Sequence, residues 1–336
     1  MSTGFKKATV AAASVPATQT NFPAYVDLSR LGITTLAEAQ SVRCYADESK
    51  VTELAREIVS VTEMHVKIPS LTSTFVLYVE YDGVSSDYAV TDTYGRNAVW
   101  SDYAFVWHMI SSSGAETDVT GNGVSGTYFG NLPDPVAGKL GNGQDFDGTG
   151  DYMSRANTIP YSDFSMSFWI NVDTWYSTNR APFVTQRQSD PIIQVFYEGA
   201  LYFRLRQTNA GGLNQINAGT MSLNTDYLIT ATIDISSGEM DIYKNTTNYT
   251  TTYTKGDFSS AGNFEVGREP LNVGYFDYLD GDISEFRVRY DVVSADWVST
   301  EYNNQSDEST FWGTWSDAGG APTYRFNPQI RPFAGL

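Results

Sequence analysis

A chain of 336 residues is long enough for two domains, and its 22 tyrosines, 18 phenylalanines and 28 glycines favour strands and turns over long helices. A formal net charge of −18 excludes nucleic-acid binders that rely on a basic surface, since those proteins concentrate lysine and arginine. The single cysteine, Cys44, excludes an intrachain disulfide, and no stretch reaches the roughly 18 apolar residues of a membrane span. We therefore expect an all-β protein of two β-sandwich domains that binds no nucleic acid and does not insert into a membrane.

Residues 1–105 are predicted to form an N-terminal β-sandwich. Lys6 and Lys7 precede an alanine-rich stretch that superficially resembles a signal peptide, but the stretch is only weakly apolar, so we interpret it as a first strand. Alternating, β-branched or aromatic runs predict further strands at residues 21–28, 41–46, 63–69 and 75–81. The aromatic segment 88–107 follows, and we expect it to pack at the domain junction as a short helix and a strand.

The second unit is organised around residues 138–172. Four glycines and three aspartates lie between Gly141 and Asp151, a composition typical of tight turns, because glycine reaches positive φ freely and aspartate bonds its own backbone. The run from Phe164 to Val172 then alternates apolar and polar side chains, as a strand with one buried face does. A carboxylate-rich loop therefore leads directly into a core strand.

These residues resemble a known family. The segments GKLGNGQDFDGTGDYM and FSMSFWINV, with the later LDGDISEFRVRY and SADW, are similar to the laminin-G-like (LamG), concanavalin A-like jelly-roll family. The resemblance covers residues 106–315 and implies a jelly-roll domain there, with Ser284 in a position where the family usually has aspartate. In the first unit, NFPAYVDLS, VRCYADE and MHVKIPSL resemble a β-sandwich family of unknown function that often accompanies LamG domains in secreted and phage proteins.

The remaining elements follow from the same patterns. Alternation predicts strands at residues 192–197, 200–206, 227–234, 239–244 and 285–290. A short helix is predicted from Ser294 to Asn303, because serine is a favourable N-cap. The glycine and proline content of the C-terminal tail, residues 316–336, forbids regular structure. We expect this tail to dock on its own chain or on a neighbour in an assembly through Tyr324, Phe326, Ile330 and Phe333.

Ca²⁺ is the one cofactor that the sequence suggests. This ion takes about six to eight oxygen ligands, which flexible loops of glycine and aspartate supply. By the resemblance, its ligands are Asp147 and Asp151 from the Gly/Asp loop and Glu285 from the closing hairpin. The alternative is that the aspartates of this region only shape turns.

No catalytic site is predicted. His65 and His108 each lie in an apolar, strand-like run without a metal or catalytic motif, so we interpret each as a structural histidine. Glu239, Asp241 and Tyr243 occupy one strand face in a pattern similar to the E-x-D-x-E of jelly-roll glucanases. Tyrosine replaces the second acid that retaining cleavage needs, and we therefore expect a protein that is not an enzyme.

Carbohydrate contacts are predicted on two loops. The loop after the core strand offers aromatic rings for stacking and polar groups for hydrogen bonds at Trp175, Tyr176, Asn179 and Arg180. A second polar loop contains Asn209, Asn214, Gln215 and Asn217.

Three functions remain open. The first is a virion structural or adhesive protein, a bacteriophage head decoration or tail-fibre component, made in the host cytoplasm and displayed on the virion surface. Its partners would be further copies of itself, other virion proteins and a cell-surface glycan bound by the LamG-like domain. The absence of a convincing export signal, the disulfide-free sandwiches and the proline- and aromatic-rich tail favour this hypothesis. The alternatives are an exported bacterial carbohydrate-binding adhesin, extracellular or on the cell surface, and a glycoside hydrolase.

Overall fold

The computed structural model describes residues 3–156, 163–175, 181–187, 192–206, 213–254, 262–272 and 275–319. The described N-terminal part contains β1 (Gly4–Thr9), β2 (Gln19–Asp27), α1 (Leu36–Gln40), β3 (Arg43–Tyr45), β4 (Glu53–Leu54), β5 (Arg56–Ile58), β6 (Glu63–Leu71), β7 (Val76–Tyr81) and α2 (Arg96–Val99), with 3-10 turns at Ala12–Ser14 and Leu28–Leu31.

The described C-terminal part contains, first, β8 (Tyr103–Trp107), β9 (Ala115–Glu116), β10 (Gly126–Phe129), β11 (Pro135–Ala137), β12 (Asn142–Asp147), β13 (Tyr152–Ala156), β14 (Phe164–Val172), β15 (Ala181–Arg187), β16 (Ile192–Tyr197), β17 (Leu201–Arg206) and β18 (Leu213–Asn217). It continues with β19 (Tyr227–Asp234), β20 (Glu239–Lys244), β21 (Thr247–Thr252), β22 (Asn263–Val266), β23 (Arg268–Asn272), β24 (Tyr275–Tyr278), β25 (Asp280–Arg289), α3 (Ala295–Ser306), α4 (Glu308–Trp312) and β26 (Ser316–Asp317).

Two sheets build the N-terminal sandwich, one in the order β26-β1-β7-β3-β4 and the other in the order β2-β6-β5. Along β6, Met64, Val66 and Ile68 are fully buried in the core of this sandwich. Because side chains alternate along a strand, Glu63 and His65 lie on the opposite face of the same sheet. The N-terminal sandwich therefore presents ionisable side chains towards the rest of the chain.

Two larger sheets face each other in the second unit. One runs β18-β17-β16-β15-β22-β13-β10-β9 and the other β11-β12-β25-β14-β19-β20-β21, with β8 also pairing β25. Their inner faces bury a core that includes Phe105, Phe168, Phe264 and Phe286, whose rings lie against one another. The predictions of an all-β protein and of a jelly-roll architecture in this unit are both confirmed.

The helix α3 lies between the two units. Its N-cap Ser294 accepts a hydrogen bond from the backbone N–H of Trp297, as the sequence predicts. On one side, Trp169 of β14 donates its indole N–H to Gln305 at 2.6 Å. On the other side, the Trp297 ring packs on Phe22 of β2, with ring centroids 5.0 Å apart. The outer face of the β14 sheet is thus covered by protein.

Packing crosses the two boundaries that the sequence suggests, at residues 105 and 315. Phe105 lies inside β8, which pairs with β25 of the jelly roll. Trp297 and Trp312, from α3 and α4, belong to the core of the N-terminal sandwich. Beyond Trp312, β26 pairs with β1. In the part of the chain that the structure describes, no helix is long and apolar enough to span a bilayer.

Candidate functional site

The N-terminal sandwich and the jelly roll meet at a buried group of ionisable side chains, which we call the interdomain cluster. Strands β5 and β6 of the N-terminal sandwich supply two glutamates and one histidine. The other members come from the chain after β8, from β25 and from α3. The cluster consists of Glu57, Glu63, His65, His108, Glu285, Arg287 and Glu301, each at most 5% exposed.

A β-bulge aims Glu285 at this interface. The register between β14 and β25 shifts between Ser167 and Trp169, and Glu285 has a φ of 54°. This is a left-handed conformation that non-glycine residues rarely adopt, and such residues persist only where the surroundings hold them. The extra residue of the bulge interrupts the alternation, so that Glu285 joins Arg287 outside the jelly-roll core while Phe286 stays inside it.

His108 connects the two domains through both ring nitrogens. Nδ1 lies 2.6 Å from Oε1 of Glu285, and Nε2 lies 3.1 Å from Oε2 of Glu57. The indole N–H of Trp100 donates to the same oxygen of Glu57. Burial lowers the pKa of His108, but the carboxylates of Glu285 and Glu57 outweigh burial and raise that pKa well above its ordinary value. With both nitrogens facing carboxylate oxygens, the ring acts as a donor on each side.

Arg287 holds two carboxylates together. Its Nη2 donates to Oε2 of Glu285 at 2.6 Å, and its Nη1 donates to Oε1 of Glu301 at 3.1 Å. Burial raises the pKa of Glu285, but His108 and Arg287 outweigh burial and hold that pKa well below its usual range. Glu285 is therefore an ionised carboxylate in an environment without bulk water.

His65 faces the other members of the cluster through one ring nitrogen only. Its Nε2 lies 3.3 Å from Oε1 of Glu63 and 3.7 Å from Oε2 of Glu285, and its ring stacks parallel to His108 with centroids 5.4 Å apart. Burial lowers the pKa of His65 well below its ordinary value and raises the pKa of Glu63, to which the charge of Glu285 also contributes. The sequence predicted two separate structural histidines, whereas the structure brings both into one cluster.

The predicted calcium ligands do not form one donor set. Asp147 and Asp151 lie together, since each accepts a hydrogen bond from Asn131. Asp147 also accepts bonds from Thr149 and Gly150, which is turn formation of the kind that the sequence left open. Glu285 lies elsewhere: Asp147 pairs with Asp280, and Glu285 is five positions further along β25, about 16 Å away at 3.3 Å per residue. Calcium binding remains a prediction for the Asp147 and Asp151 loop alone.

A second cluster of carboxylates lies near these aspartates, on strands of the same sheet. Asp282 on β25 is opposite Asp145 on β12, and Asn171 of β14 donates to Asp226 at 2.8 Å. Burial, and then the charges of Asp226, Asp173 and Asp145, raise the pKa of Asp282 to about 7. Asp282 is therefore about half protonated at neutral pH, because its carboxylate neighbours oppose a further negative charge.

The predicted sugar-binding loop is described only at its start. Trp175 is half-buried, and its ring stacks on Tyr197 with centroids 3.7 Å apart and an angle of 18° between the planes. The other predicted contacts of this loop, Tyr176, Asn179 and Arg180, lie outside the described residues, as do the tail residues Tyr324, Phe326, Ile330 and Phe333.

Polar and aromatic side chains line the outer face of three neighbouring strands, β16, β17 and β18. We call this group the outer ladder, and it consists of Gln194, Phe196, Tyr202, Arg204, Gln215 and Asn217. The guanidinium of Arg204 donates to Oε1 of Gln215 at 2.7 Å and to Oε1 of Gln194 at 3.2 Å. Asn217 donates to the hydroxyl of Tyr202 at 3.3 Å.

Beneath its polar groups, the outer ladder contains two stacked aromatic rings. Tyr202 stacks on Phe196 with centroids 5.3 Å apart, and the guanidinium carbon of Arg204 lies 4.5 Å above the Phe196 ring. Phe196 is buried, Tyr202 and Arg204 are half-buried, and Gln215 and Asn217 are exposed. Two residues of the predicted polar loop, Gln215 and Asn217, are thus strand residues beside an aromatic ring. Counting every second residue of β17 and β18 would have placed these polar side chains on one face.

The glucanase-like strand is not open to a substrate. Asp241 is 9% exposed and accepts a hydrogen bond from Thr232, and Tyr243 packs into the core of the N-terminal sandwich. Glu239 alone of the three is exposed. The face that carries the incomplete acid pattern is therefore largely covered by protein.

Comparison with known proteins matches residues 146–299 to a family described as the concanavalin A-like lectin/glucanases superfamily, of the laminin-G type. The binding domain of Paraclostridial Mosquitocidal Protein 1 is similar in structure, with 13% sequence identity and a TM-score of 0.50, over 60% of this chain and 52% of that chain. A structure of botulinum neurotoxin type C, which must interact with two ganglioside molecules to enter cells, is similar with 14% identity and a TM-score of 0.50, over 62% of this chain and 52% of that chain.

This chain spans about half the length of these two structures, and at such low identity the likeness shows a shared fold alone. No curated protein sequence matches the chain. The strand order, the buried aromatic core and the family match agree on one assignment for the second unit. Residues 146–299 match the concanavalin A-like lectin/glucanases superfamily of the laminin-G type, and the fold of the second unit is a concanavalin A-like jelly roll.

Proposed function

We propose that the chain is a non-enzymatic glycan-binding protein, and that the outer ladder is its sugar-binding surface. The observation that carries this proposal is the arrangement of Tyr202, Arg204, Gln215 and Asn217 on one outward strand face. A sugar ring presents apolar C–H groups on its faces and hydroxyl groups around its rim. An aromatic ring beside amides and a guanidinium matches both kinds of surface.

The position of the outer ladder supports the proposal. The opposite sheet of the jelly roll is covered by α3 and by the N-terminal sandwich, as the contacts of Trp169 and Tyr243 show. Strand β18 is the last strand of its sheet in the described residues, and its side chains at Gln215 and Asn217 are exposed. Strands hold side chains at fixed spacing, so this surface is organised before a ligand arrives, which reduces the entropic cost of binding. Binding domains with the same fold exist in a toxin that interacts with gangliosides.

A glycan array with the purified full chain, followed by calorimetric titration of the retained glycans, tests the proposal. We expect Tyr202→Ala to weaken binding by about tenfold or more, equivalent to about 1.4 kcal/mol. The matched control is Tyr290→Ala, since Tyr290 is 50% exposed and lies after β25, away from the outer ladder. No retained glycan, or equal affinity of Tyr202→Ala and the unchanged chain, would contradict the proposal.

We further propose that this binding serves adhesion by a virus particle, on whose surface the chain assembles with its own copies and other virion proteins. The edge strand β26 supports an assembly role for the tail. Asp317 is exposed and forms a 2.6 Å ion pair with Lys6, and Ala318 donates to the carbonyl of Phe5. Among the described residues, β26 is the outermost strand of its sheet.

Light scattering of the full chain and of a chain ending at residue 319 tests this assembly role. The shortened chain keeps β26 and therefore keeps the pairing with β1. We expect an oligomer for the full chain and a monomer for the shortened one. A monomeric full chain would contradict the assembly role and would leave an exported or cell-surface adhesin as the better hypothesis.

A further inference from the structure

Four members of the interdomain cluster converge on one point between the domains. Glu63 and His65 come from β6, His108 follows β8, and Glu285 comes from the bulge of β25. One ligand atom of each side chain lies within 4.8 Å of the ligand atoms of the other three. All four side chains are at most 2% exposed, so the point is shielded from bulk water.

We propose that Glu63, His65, His108 and Glu285 form a binding site for a divalent transition-metal ion, Zn²⁺ or one with similar preferences. Two imidazole nitrogens and two carboxylate oxygens are a donor set that suits Zn²⁺. Ca²⁺ does not fit the set, because it takes oxygen ligands in larger number. This site is distinct from the Asp147 and Asp151 loop.

Two of the distances within the cluster are close to the spacing of four-coordinate geometry, and one is shorter. Zinc bonds of about 2.0–2.1 Å at tetrahedral angles place neighbouring ligand atoms about 3.3 Å apart. Nε2 of His65 lies 3.3 Å from Oε1 of Glu63 and 3.7 Å from Oε2 of Glu285. Nδ1 of His108 lies closer, 2.6 Å from Oε1 of Glu285, because a proton joins these two atoms. They would separate by about 0.7 Å when the ion displaces that proton, as binding of a metal to histidine requires.

The surroundings of His108 support the assignment independently. A metal-binding histidine usually donates its second ring N–H to a carboxylate, which fixes the tautomer and the ring orientation. Nε2 of His108 lies 3.1 Å from Glu57, and Trp100 holds Glu57 from behind through its indole N–H. Nδ1 of His108, which here donates to Glu285, is then the nitrogen that would exchange its proton for the ion.

His65 gives a second, independent indication. It is fully buried, although among the described residues its Nδ1 lacks the hydrogen-bond partner that a metal-binding histidine usually has. Its polar contacts within the cluster, to Glu63 and Glu285, are made through Nε2. A buried imidazole that faces two carboxylates through one nitrogen is arranged as a ligand. Arg287 donates to Oε2 of Glu285 through Nη2 at 2.6 Å and through Nε at 3.2 Å, which uses both lone pairs of that oxygen. Oε1 is therefore the oxygen of Glu285 that would bind the ion, in place of the proton it now shares with His108.

A cavity lies beside Glu57. This residue lines a cavity of about 120 Å³ whose wall also includes Asp87 and Val90. Val90 is 46% exposed, so the cavity borders solvent. Glu57 therefore contacts both this cavity, which Arg56 and Arg96 also line, and the imidazole of His108.

Titration of the full, chelator-treated chain with Co²⁺ tests the site, because Co²⁺ reports its geometry through visible absorption. We expect one Co²⁺ per chain with the strong visible bands of a four-coordinate ion, lost on addition of Zn²⁺ and unaffected by Ca²⁺. His65→Gln and Glu63→Gln should each weaken binding at least about tenfold, and Glu57→Gln about 10–100-fold, as losses of a ligand and of an outer-shell partner do.

The matched control is Glu116→Gln, since Glu116 is also a buried glutamate in a hydrogen-bond network but contacts Tyr128 and Ser111 instead. Absence of the visible bands in the unchanged chain overturns the proposal, whether or not the variants fold. Equal Co²⁺ affinity of folded His65→Gln, Glu63→Gln and the unchanged chain overturns it as well. An effect of Glu116→Gln as large as that of His65→Gln would assign the loss to general destabilisation, and this result also counts against the site.

Discussion

The carboxylate of Asp282 is the clearest single-residue source of pH-dependent stability. Its pKa is about 7 in the folded chain, against an ordinary value of 3.8, so the folded state binds the proton more tightly. Stability therefore falls as the pH rises from about 4 to about 7 and then levels off. We expect Asp282→Asn to stabilise the chain at pH 8 by about 1–2 kcal/mol, allowing for solvent screening, and to have little effect near pH 4. Urea unfolding at several pH values measures this difference.

Asp234→Asn is the control, because we expect it to change the free energy of unfolding at pH 8 in the opposite direction. The hydroxyl of Ser236 and the backbone N–H of Ser237 lower the pKa of Asp234 to about 2, so its charged form stabilises the fold above the ordinary pKa of 3.8. Its removal should destabilise the chain at pH 8 and matter less as the pH falls towards 2. A stabilising effect of both substitutions at pH 8 would contradict the assignment of Asp282.

Among the residues of the interdomain cluster, we expect the loss of Arg287 to lower the free energy of unfolding most. Arg287→Met leaves Glu285 and Glu301 without their shared cation, and removal of one partner from a buried ion pair costs about 3–5 kcal/mol. The control Arg289→Met removes a cation paired with Asp291, whose side chain is 53% exposed, and should cost about 1 kcal/mol. Chemical denaturation compares the two. Similar losses for both variants would show that the cluster contributes no special stability.

At the scale of an element, helix α3 connects the two units. Its residue Asn304 shows this connection most clearly. Its side-chain oxygen accepts from the backbone N–H of Tyr25 at 2.6 Å, and its amide donates to the carbonyl of Tyr25 at 3.0 Å. Strand β2 lies at the edge of its sheet, so Asn304 takes the place of a neighbouring strand.

We expect Asn304→Ala to lower the free energy of unfolding by about 2 kcal/mol. The indole of Trp312 still donates to the Tyr25 carbonyl at 2.9 Å, so the buried backbone N–H of Tyr25 is the group left unpaired. The neighbouring variant Asn303→Ala loses one bond, to the carbonyl of Ser14, and should cost about 1 kcal/mol. An equal or smaller loss for Asn304→Ala would contradict a capping role at the β2 edge.

Local elements were predictable from the sequence, because their signals lie within a few residues of one another. The alternation from Phe164 to Val172 predicted β14, and Ser294 marked the start of α3. The interdomain cluster was not predictable in this way. His108 and Glu285 are separated by 177 positions, and no local pattern encodes such a contact. The bulge that turns Glu285 out of the jelly-roll core and into the interdomain cluster also breaks the alternation on which strand prediction depends.

At the scale of the whole molecule, the two units share so much buried structure that we expect them to unfold together. Trp297 and Trp312 of the C-terminal helices complete the N-terminal core, and the jelly-roll residues Glu285 and His108 complete a cluster that begins on β5 and β6. Unfolding of either unit alone would expose buried charges on the other, and unpaired buried charge is strongly unfavourable. Intermediates with one folded unit should therefore be sparsely populated.

Differential scanning calorimetry measures this cooperativity directly. We expect one transition whose calorimetric and van't Hoff enthalpies agree, which is the mark of a two-state process. Arg287→Met should lower the midpoint and, by weakening the link between the units, reduce the van't Hoff enthalpy relative to the calorimetric one. Arg289 lies on the same strand but outside the cluster. Arg289→Met should therefore lower the midpoint slightly and keep the ratio of the van't Hoff enthalpy to the calorimetric enthalpy near one. Two resolved transitions in the unchanged chain would show instead that the domains are energetically independent and that the cluster only fills their interface.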